Sequence, residues 1–474
     1  MIPRLAIVII LASAAAAESW LGFRGPDGSG VSTATGLPVQ FSPTQNVLWK
    51  TPLPEGKSQP ILGGPLIYLT ALEGSKLLTM ALKRDTGQIA WRREIERPRQ
   101  EKLHNLNHPT APTPASDGHN VFVFFGDFGL ISYTPDGAER WRMTLGPFSN
   151  FHGMGASPIV EGDKLILLCD QDEGSFLMAV HKDTGKLLWR TERAEVVHGF
   201  ATPTIFRPKD APLQIIAPGS YRLDSYAAAT GKFLWTVRGL TWQVKPSAIV
   251  DGDTVYATGW APGADSGQRA QLPEFSEVLK EADANHDGKL SQSEVPAKWK
   301  HSGSWDAIDL NHDGFLDDRE WAFYKSRRAA ENWTIAVKPK GRTGDITEAA
   351  VLWRFDRSVP QVSSPLLLDG LLYTIKDGGV LTALDAVSGA VAKQGRIKEG
   401  IDAYYASPMA ASGYIYLASE NGKITVMKPG REWEVVASNN LNEPVYASPV
   451  ADQGRLYIRT ASALYCFGKS SSNP

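Results

Sequence analysis

ASPIVEGDKLILLCDQDEGSFLMAVHKDTGKLLW, Ala156 to Trp189, is the stretch that decides the fold. A small residue and a proline open it, followed by a short apolar run and a glycine turn. Two further apolar runs come next, and the stretch closes on Asp183-Thr184-Gly185 and a tryptophan. Runs this short, broken by Gly and Asp, are strands and not helices. The pattern recurs at Ala201–Trp235, Ser363–Val391 and Ala406–Trp433.

The proline marks the repeat at Pro60, Pro114, Pro158, Pro203, Pro246, Pro365, Pro408 and Pro449. Each unit has room for four short strands, the content of a propeller blade. A single blade cannot bury its own faces, so the copies must close into a ring. The last copy ends near Phe467, short of a fourth strand, and NVLWKTPL (Asn46–Leu53) carries the missing one with its tryptophan. The expected fold is therefore all-β, an eight-bladed β-propeller over 18–261 and 332–469 with a small α-helical insertion; seven blades is the competing count. Trp49, Trp91, Trp141, Trp189, Trp235, Trp353 and Trp433 lie on or just before the fourth strands. They are expected to pack between blades, since an indole buries a large area; copy six has Ala392 and Lys393 there instead.

One spacing is long: 119 residues separate Pro246 from Pro365. The repeat breaks off after its second strand and resumes at Asn332, which makes 262–331 an insertion in blade five. Strands alternate in direction. The loop between second and third strands therefore emerges on the same rim as the loops that lead into each first strand.

The insertion holds DANHDGKLSQSE (Asp283–Glu294) and DLNHDGFLDDRE (Asp309–Glu320). Calcium takes oxygens from positions 1, 3, 5, 7, 9 and 12 of such a loop, with Gly at 6 for the turn. The first loop offers Asp283, Asn285, Asp287, the Lys289 carbonyl, Ser291 and Glu294; the second offers Asp309, Asn311, Asp313, the Phe315 carbonyl, Asp317 and Glu320. Both resemble EF-hand loops. Two Ca2+ sites are expected, with the second filling first because it brings more carboxylates. A helical face of Phe275, Val278, Leu279 and Ala282 precedes the first loop, and Pro296 should cut short the helix that follows it.

The loops entering the first strands carry His108, His152 and His198, with Trp242 and Tyr404 in the same region. These are the candidates for a ligand face that takes a protein or small-molecule partner. A net charge of −2 argues against nucleic acid. Arg4 followed by the apolar run Leu5–Ala17 reads as a signal peptide over 1–17, hence an exported protein, periplasmic or secreted, with no transmembrane span in the mature chain. Cys169 and Cys466 both sit in apolar runs and are expected to be buried thiols. Nucleophile-elbow, phosphate-loop and zinc-protease motifs are absent from the sequence.

KDTGKLLW, AATGKFLW and KRDTGQIAW look like the repeat of the pyrroloquinoline quinone (PQQ)-like propeller family. WLGFRGPDGSGVS (Trp20–Ser32) resembles the leader of exported bacterial members. The resemblance covers nearly the whole chain outside the insertion. It implies either a quinoprotein dehydrogenase or a non-enzymatic propeller like the outer-membrane assembly lipoprotein. The adjacent-cysteine disulfide typical of the alcohol dehydrogenases is missing here, and no catalytic Asp can be carried over. The leading expectation is a non-catalytic, calcium-binding scaffold; the alternative is a PQQ-dependent alcohol or sugar oxidoreductase.

Overall fold

A computed structural model describes residues 20–300 and 305–469. The expected signal peptide, 1–17, lies outside the described residues. Eight four-stranded antiparallel blades follow one another along the chain, the fourth extended by Gly344–Asp345, which pairs in parallel with its outer strand Phe233–Arg238. Blade three shows the plan: Ile159–Glu161, Lys164–Cys169, Phe176–His181 and Leu187–Glu192. The eighth blade is composite. Val47–Pro52 pairs with Ala463–Phe467, so the start of the chain supplies the outermost strand of the last sheet. Eight blades are present, not seven.

The repeated tryptophans lie where blades meet. Trp141 of blade two donates its indole N–H to the Lys182 carbonyl of blade three at 2.8 Å, and a Cβ added to Gly185 would lie 2.7 Å from its ring. Gly185 has φ +69°. The Thr-Gly turn of one blade is thus the seat for the tryptophan of the preceding one, and glycine is required there twice over, for conformation and for space. Trp49 on Gly87, Trp91 on Gly137, Trp189 on Gly231 and Trp353 on Gly389 repeat the contact. Blade six differs. Register places Lys393 at its tryptophan position and Ala437 at that of blade seven. Trp433 comes instead from the turn before blade seven's outer strand and reaches back, accepting a bond from Lys393 Nζ at its carbonyl and covering Gly395.

A second repeat surrounds the axis. In five blades the residue before the marker proline donates its backbone N–H to a hydroxyl in the next blade: Gln59 to Thr113, Thr113 to Ser157, Ser157 to Thr202, Ser364 to Ser407, and Ser407 to Ser448. Blade five corrects the sequence register. Ser247 N bonds Ser364 Oγ, and the strand begins at Ile249, so Ala248 occupies the proline position and Pro246 lies two residues ahead of it.

The leader Trp20–Ser32 runs across the axis beyond this hydroxyl ring. Leu62 N donates to Trp20 O, Ser116 N to Leu21 O and Ala410 N to Gly30 O, each from the inner strand of a different blade. Arg24, 1% exposed, donates to the carbonyls of Gly28, Ser29, Ser364 and Pro365, while its own N–H bonds Gln59 Oε1. The leader therefore stops the channel on the side away from the loops that enter the inner strands.

Blade five is built from Ile249–Asp251, Thr254–Gly259, Trp333–Val337 and Val351–Phe355, and the long segment departs between its second and third strands. Helices α1 (Phe275–Ala282) and α2 (Asp318–Ala329) enclose an apolar cluster of its own, among them Phe275, Val278, Leu290, Leu316, Trp321 and Tyr324. After Val295 the chain forms only a short 3-10 turn, Ala297–Trp299, with Pro296 as its cap. Both cysteines are buried free thiols.

Gly185→Ala is expected to lower stability by roughly 2–3 kcal/mol, because strain at positive φ adds to the clash with Trp141. Gly162→Ala, also at positive φ (+59°) but with open space around it, is expected to cost about 1 kcal/mol. Urea unfolding of the two variants separates packing from backbone strain; equal losses would count against the tryptophan seat.

Candidate functional site

The inserted segment stands on the rim of the loops that enter the inner strands, as strand alternation requires. Lys102 of blade two pairs with Asp306 at 2.6 Å. Arg319 bonds the Asp172 carbonyl and Glu173 carboxylate of blade three, both at 3.3 Å. Tyr221 of blade four donates to the Phe323 carbonyl of α2 at 3.0 Å. The Arg327 guanidinium lies 3.7 Å over the ring of Trp242.

These contacts meet a file of rings that crosses four blades. His104 and His152 are 4.6 Å apart edge to face, His152 and Phe151 3.8 Å, Phe151 and His198 4.7 Å, and His198 and Trp242 6.0 Å. Beneath it, His198 Nε2 lies 3.0 Å from Asp172 Oδ1, with His312 of the second acidic loop 4.0 Å from the other oxygen. Asp172 is fully buried, and that burial pushes its carboxyl up to about 7. His198 is held at φ +53° and driven well below its ordinary range by burial, with Arg327 adding to the effect. Lower still, Arg193 bridges Asp170 and Asp224 and bonds Tyr226, tying blades three and four together.

Of the sequence candidates, His152, His198 and Trp242 come together in this file. His108 does not: its Nδ1 is bonded to Thr110 Oγ1 at 2.8 Å within its own turn. Tyr404 is 2% exposed and donates to the Gly400 carbonyl, bracing its loop. The three histidines do not form a metal-ligand set; among the described residues the one group of that kind is Asp309, Asp313 and Glu320. Sequence reading missed His104, Phe151, Asp172, Lys245 and Arg327. The His-rich HNLNHP and NFHGM stretches point to the first two. Nothing along the chain joins Arg327 to Trp242.

The acidic loops are built alike. Asp309 accepts from the N–H groups of Asp313 and Gly314, Asn311 from Asp313, and Asp313 from Phe315. Glu320 Oε1 accepts from Leu310 N at 2.7 Å and Oε2 from Asp317 N at 3.0 Å. Asp283, Asn285, Asp287 and Glu294 make the corresponding bonds in the first loop. Leu290 and Leu316 pair in a two-stranded ribbon between the loops. Ligand oxygens of Asp309, Asp313 and Glu320 all lie within 4.8 Å of one another. Lys289 Nζ crosses to Asp313 at 2.7 Å, so a cation already balances part of the second loop's charge.

Burial first, and the nearby Arg459 second, hold His108 down to about 4. Its folded value lies below the unfolded one, so its contribution is fully present above pH 6.5 and is lost as pH falls towards 4. The expected loss is about 3 kcal/mol in wild type. His108→Gln should flatten the fall in urea midpoint over that interval; an unchanged slope would place the proton uptake elsewhere.

No curated protein matches the sequence. Among solved structures, the crystal structure of BamB from Moraxella catarrhalis aligns with a TM-score of 0.54 at 13% identity, over 90% of this chain and 99% of that one. A europium-containing methanol dehydrogenase aligns with 0.58 at 10% identity, over 95% and 98%. A quinohemoprotein alcohol dehydrogenase from Comamonas testosteroni aligns with 0.57 at 12% identity, over 96% and 82%. At such identities the likeness shows the fold alone. The family described as outer membrane protein assembly factor BamB matches at residues 127–263 and 277–473, well over half of the sequence, and the chain belongs to that family.

Proposed function

We propose that the chain is an exported, calcium-binding propeller that holds a protein or small-molecule partner on the rim walled by its insertion, and that it does so without catalysis. The observation that carries this reading is the union of the second acidic loop with the ring file. The loop's His312 and Arg319 meet Asp172 and Glu173, and the helix leaving it sets Arg327 on Trp242. Calcium in that loop would fix the N-terminal end of α2 through Glu320, and α2 carries Arg327 two turns further along. The metal's work is then to order a wall of the rim. The donor set suits it: oxygen ligands at the spacing calcium takes, on loops whose sixth residues, Gly288 and Gly314, have φ +79° and +89°. Export accords with the periplasmic or outer-membrane association that the BamB family description implies.

A binding role is supported by the enclosure of the one acid–base pair in the file. The side chains of His198 and Asp172 are 3% and 0% exposed, out of reach of a substrate proton. The rival, a PQQ-dependent oxidoreductase, fits the residues poorly. A planar quinone needs a flat ring face. The Trp242 indole is 3% exposed, with one face taken by Arg327 and His198 edge-on beside it. The carboxylate cluster suited to a metal belongs to the second acidic loop of the insertion and is made of that loop's own residues.

Calcium titration of the full mature chain tests the proposal. Trp305 donates to Asp309 Oδ2 at 3.1 Å and should report filling of the second loop by its fluorescence. Two sites are expected, with stabilisation of about 1.4 kcal/mol per site at ten times the dissociation constant. Glu320→Gln should remove the tighter site and leave the other. Absence of any calorimetric or fluorescence response at millimolar calcium would sink the reading.

A further inference from the structure

On the far rim, where the leader stops the channel, the chain that follows the leader builds a cleft. Residues 36–40 and 45–46 form one wall. The turn between the first two strands of blade seven, Met409–Ala411 and Tyr414–Ala418, forms the other, and Lys469 joins the lining. The cleft encloses about 640 Å³, within the range of about 300–1,000 Å³ that small-molecule sites occupy. A second hollow of about 340 Å³ shares Gly36 and Lys469 with it and continues to Gln453, in the matching turn of blade eight.

The walls are fixed before any ligand arrives. Phe41 is 2% exposed, its ring lies 4.6 Å from that of Phe467, and its N–H donates to Asn439 Oδ1. Asn439 Nδ2 returns a bond to the Val39 carbonyl, and the Tyr416 hydroxyl donates to the Pro38 carbonyl. Asn46 Nδ2 donates across the turn to the Gln40 carbonyl at 2.6 Å. A site held in this way loses little ordering entropy on binding.

The polar groups of the cleft are uncommitted. Among the described residues the side chains of Gln40, Gln45, Ser412, Tyr414, Gln453 and Lys469 form no hydrogen bond or ion pair within the protein. No carboxylate lines either hollow, so a metal or an organic cation finds no counter-charge there. Of the two cations, Arg455 is already paired with Asp85 at 2.7 Å, which leaves one lysine for an anion. What the cleft offers is amides and hydroxyls, groups that both donate and accept. Beside them lie the buried Leu37 and Pro38 and the half-buried ring of Tyr414. Closely spaced neutral donors and acceptors next to small apolar surfaces match a ligand that carries hydroxyls around C–H faces.

We propose that this cleft binds an oligosaccharide, with the amides of Gln40, Gln45 and Gln453 on its hydroxyls and Tyr414 against a ring face. A peptide added as a strand to blade eight is disfavoured, because the outer strand there breaks register between Val47 and Trp49. The site stands on the rim opposite the ring file and does not depend on how that file is read.

Isothermal titration of the full mature chain with maltotriose and with cellotriose tests it, with trialanine as a peptide probe and inorganic phosphate as an ionic one. At least one trisaccharide should bind in the millimolar range or tighter. Tyr414→Ala should weaken it tenfold or more, which is about 1.4 kcal/mol. Should that variant fail to fold, Gln45→Ala, on an exposed turn, is read in its place and is expected to show a clear loss of affinity. Lys298→Met, in the insertion, should leave binding unchanged. The proposal is overturned if neither trisaccharide binds at tens of millimolar, or if one binds the cleft variants and wild type alike. Binding of trialanine or phosphate with neither trisaccharide bound would also overturn it, and would give the cleft to a peptide or an anion.

Discussion

Everything in this protein depends on a ring being closed by two ends of one chain. Val47–Pro52 lies against Ala463–Phe467, with Trp49 opposite Cys466. Until that sheet forms, the eighth blade lacks its outer strand and Trp49 has no Gly87 to rest on. The contact spans almost the entire sequence, so its closure entropy is near the largest the chain can incur. It is offset by two sets of repeated contacts, the tryptophan seats at the periphery and the hydroxyl links at the axis, neither of which is complete in an open arc.

The leader turns closure into a plug. Arg24 reaches carbonyls of blade six, and Gln59 of blade one reaches those of blade eight; among the described residues Arg24 does so with no carboxylate bonded to it. A buried guanidinium satisfied by backbone oxygens is a poor source of stability but a strict one of position. Gly30 has φ +76°, and a Cβ there would lie 2.9 Å from the Arg24 guanidinium. The leader is shaped around this one side chain. The channel is thereby left with a single mouth, the one that the insertion walls.

The periodic part of the molecule was legible because each blade repeats the same solution. The glycine after Asp-Thr and the tryptophan four residues later are two halves of one contact, and so they recur together. Where the contact is solved differently the sequence misleads. Pro246 has the right neighbours and the wrong register, because Ala248 can take the proline's place when Ser247 keeps the hydroxyl link. Trp433 has the right residue type on the wrong side of its interface, reaching back to fill what Lys393 leaves open. The acidic loops stood out in the sequence because a cation's geometry would fix the spacing of its ligands, and among the described residues Asp309, Asp313 and Glu320 do come together. The ring file was not. His152, His198 and Trp242 each lead into a strand, and such positions stand out in a repeat; Arg327 and Asp172 join them only through the docking of the insertion.

That docking explains why a loop so distant in character sits where it does. An insertion between second and third strands of any blade would emerge on the same rim. In blade five it emerges beside Trp242 and Lys245, and α2 is long enough to span from Glu320, at blade three, to Arg327 over Trp242. The second loop lies against the propeller through Arg319 and His312, whereas the first faces outward, its side chains bonded within the insertion. The second loop is thus joined directly to the wall of the rim. The first is linked to the second by the Leu290–Leu316 ribbon and the Lys289–Asp313 pair. The two loops are alike in sequence and unequal in their place in the fold, because only the second is held between the ribbon and the propeller.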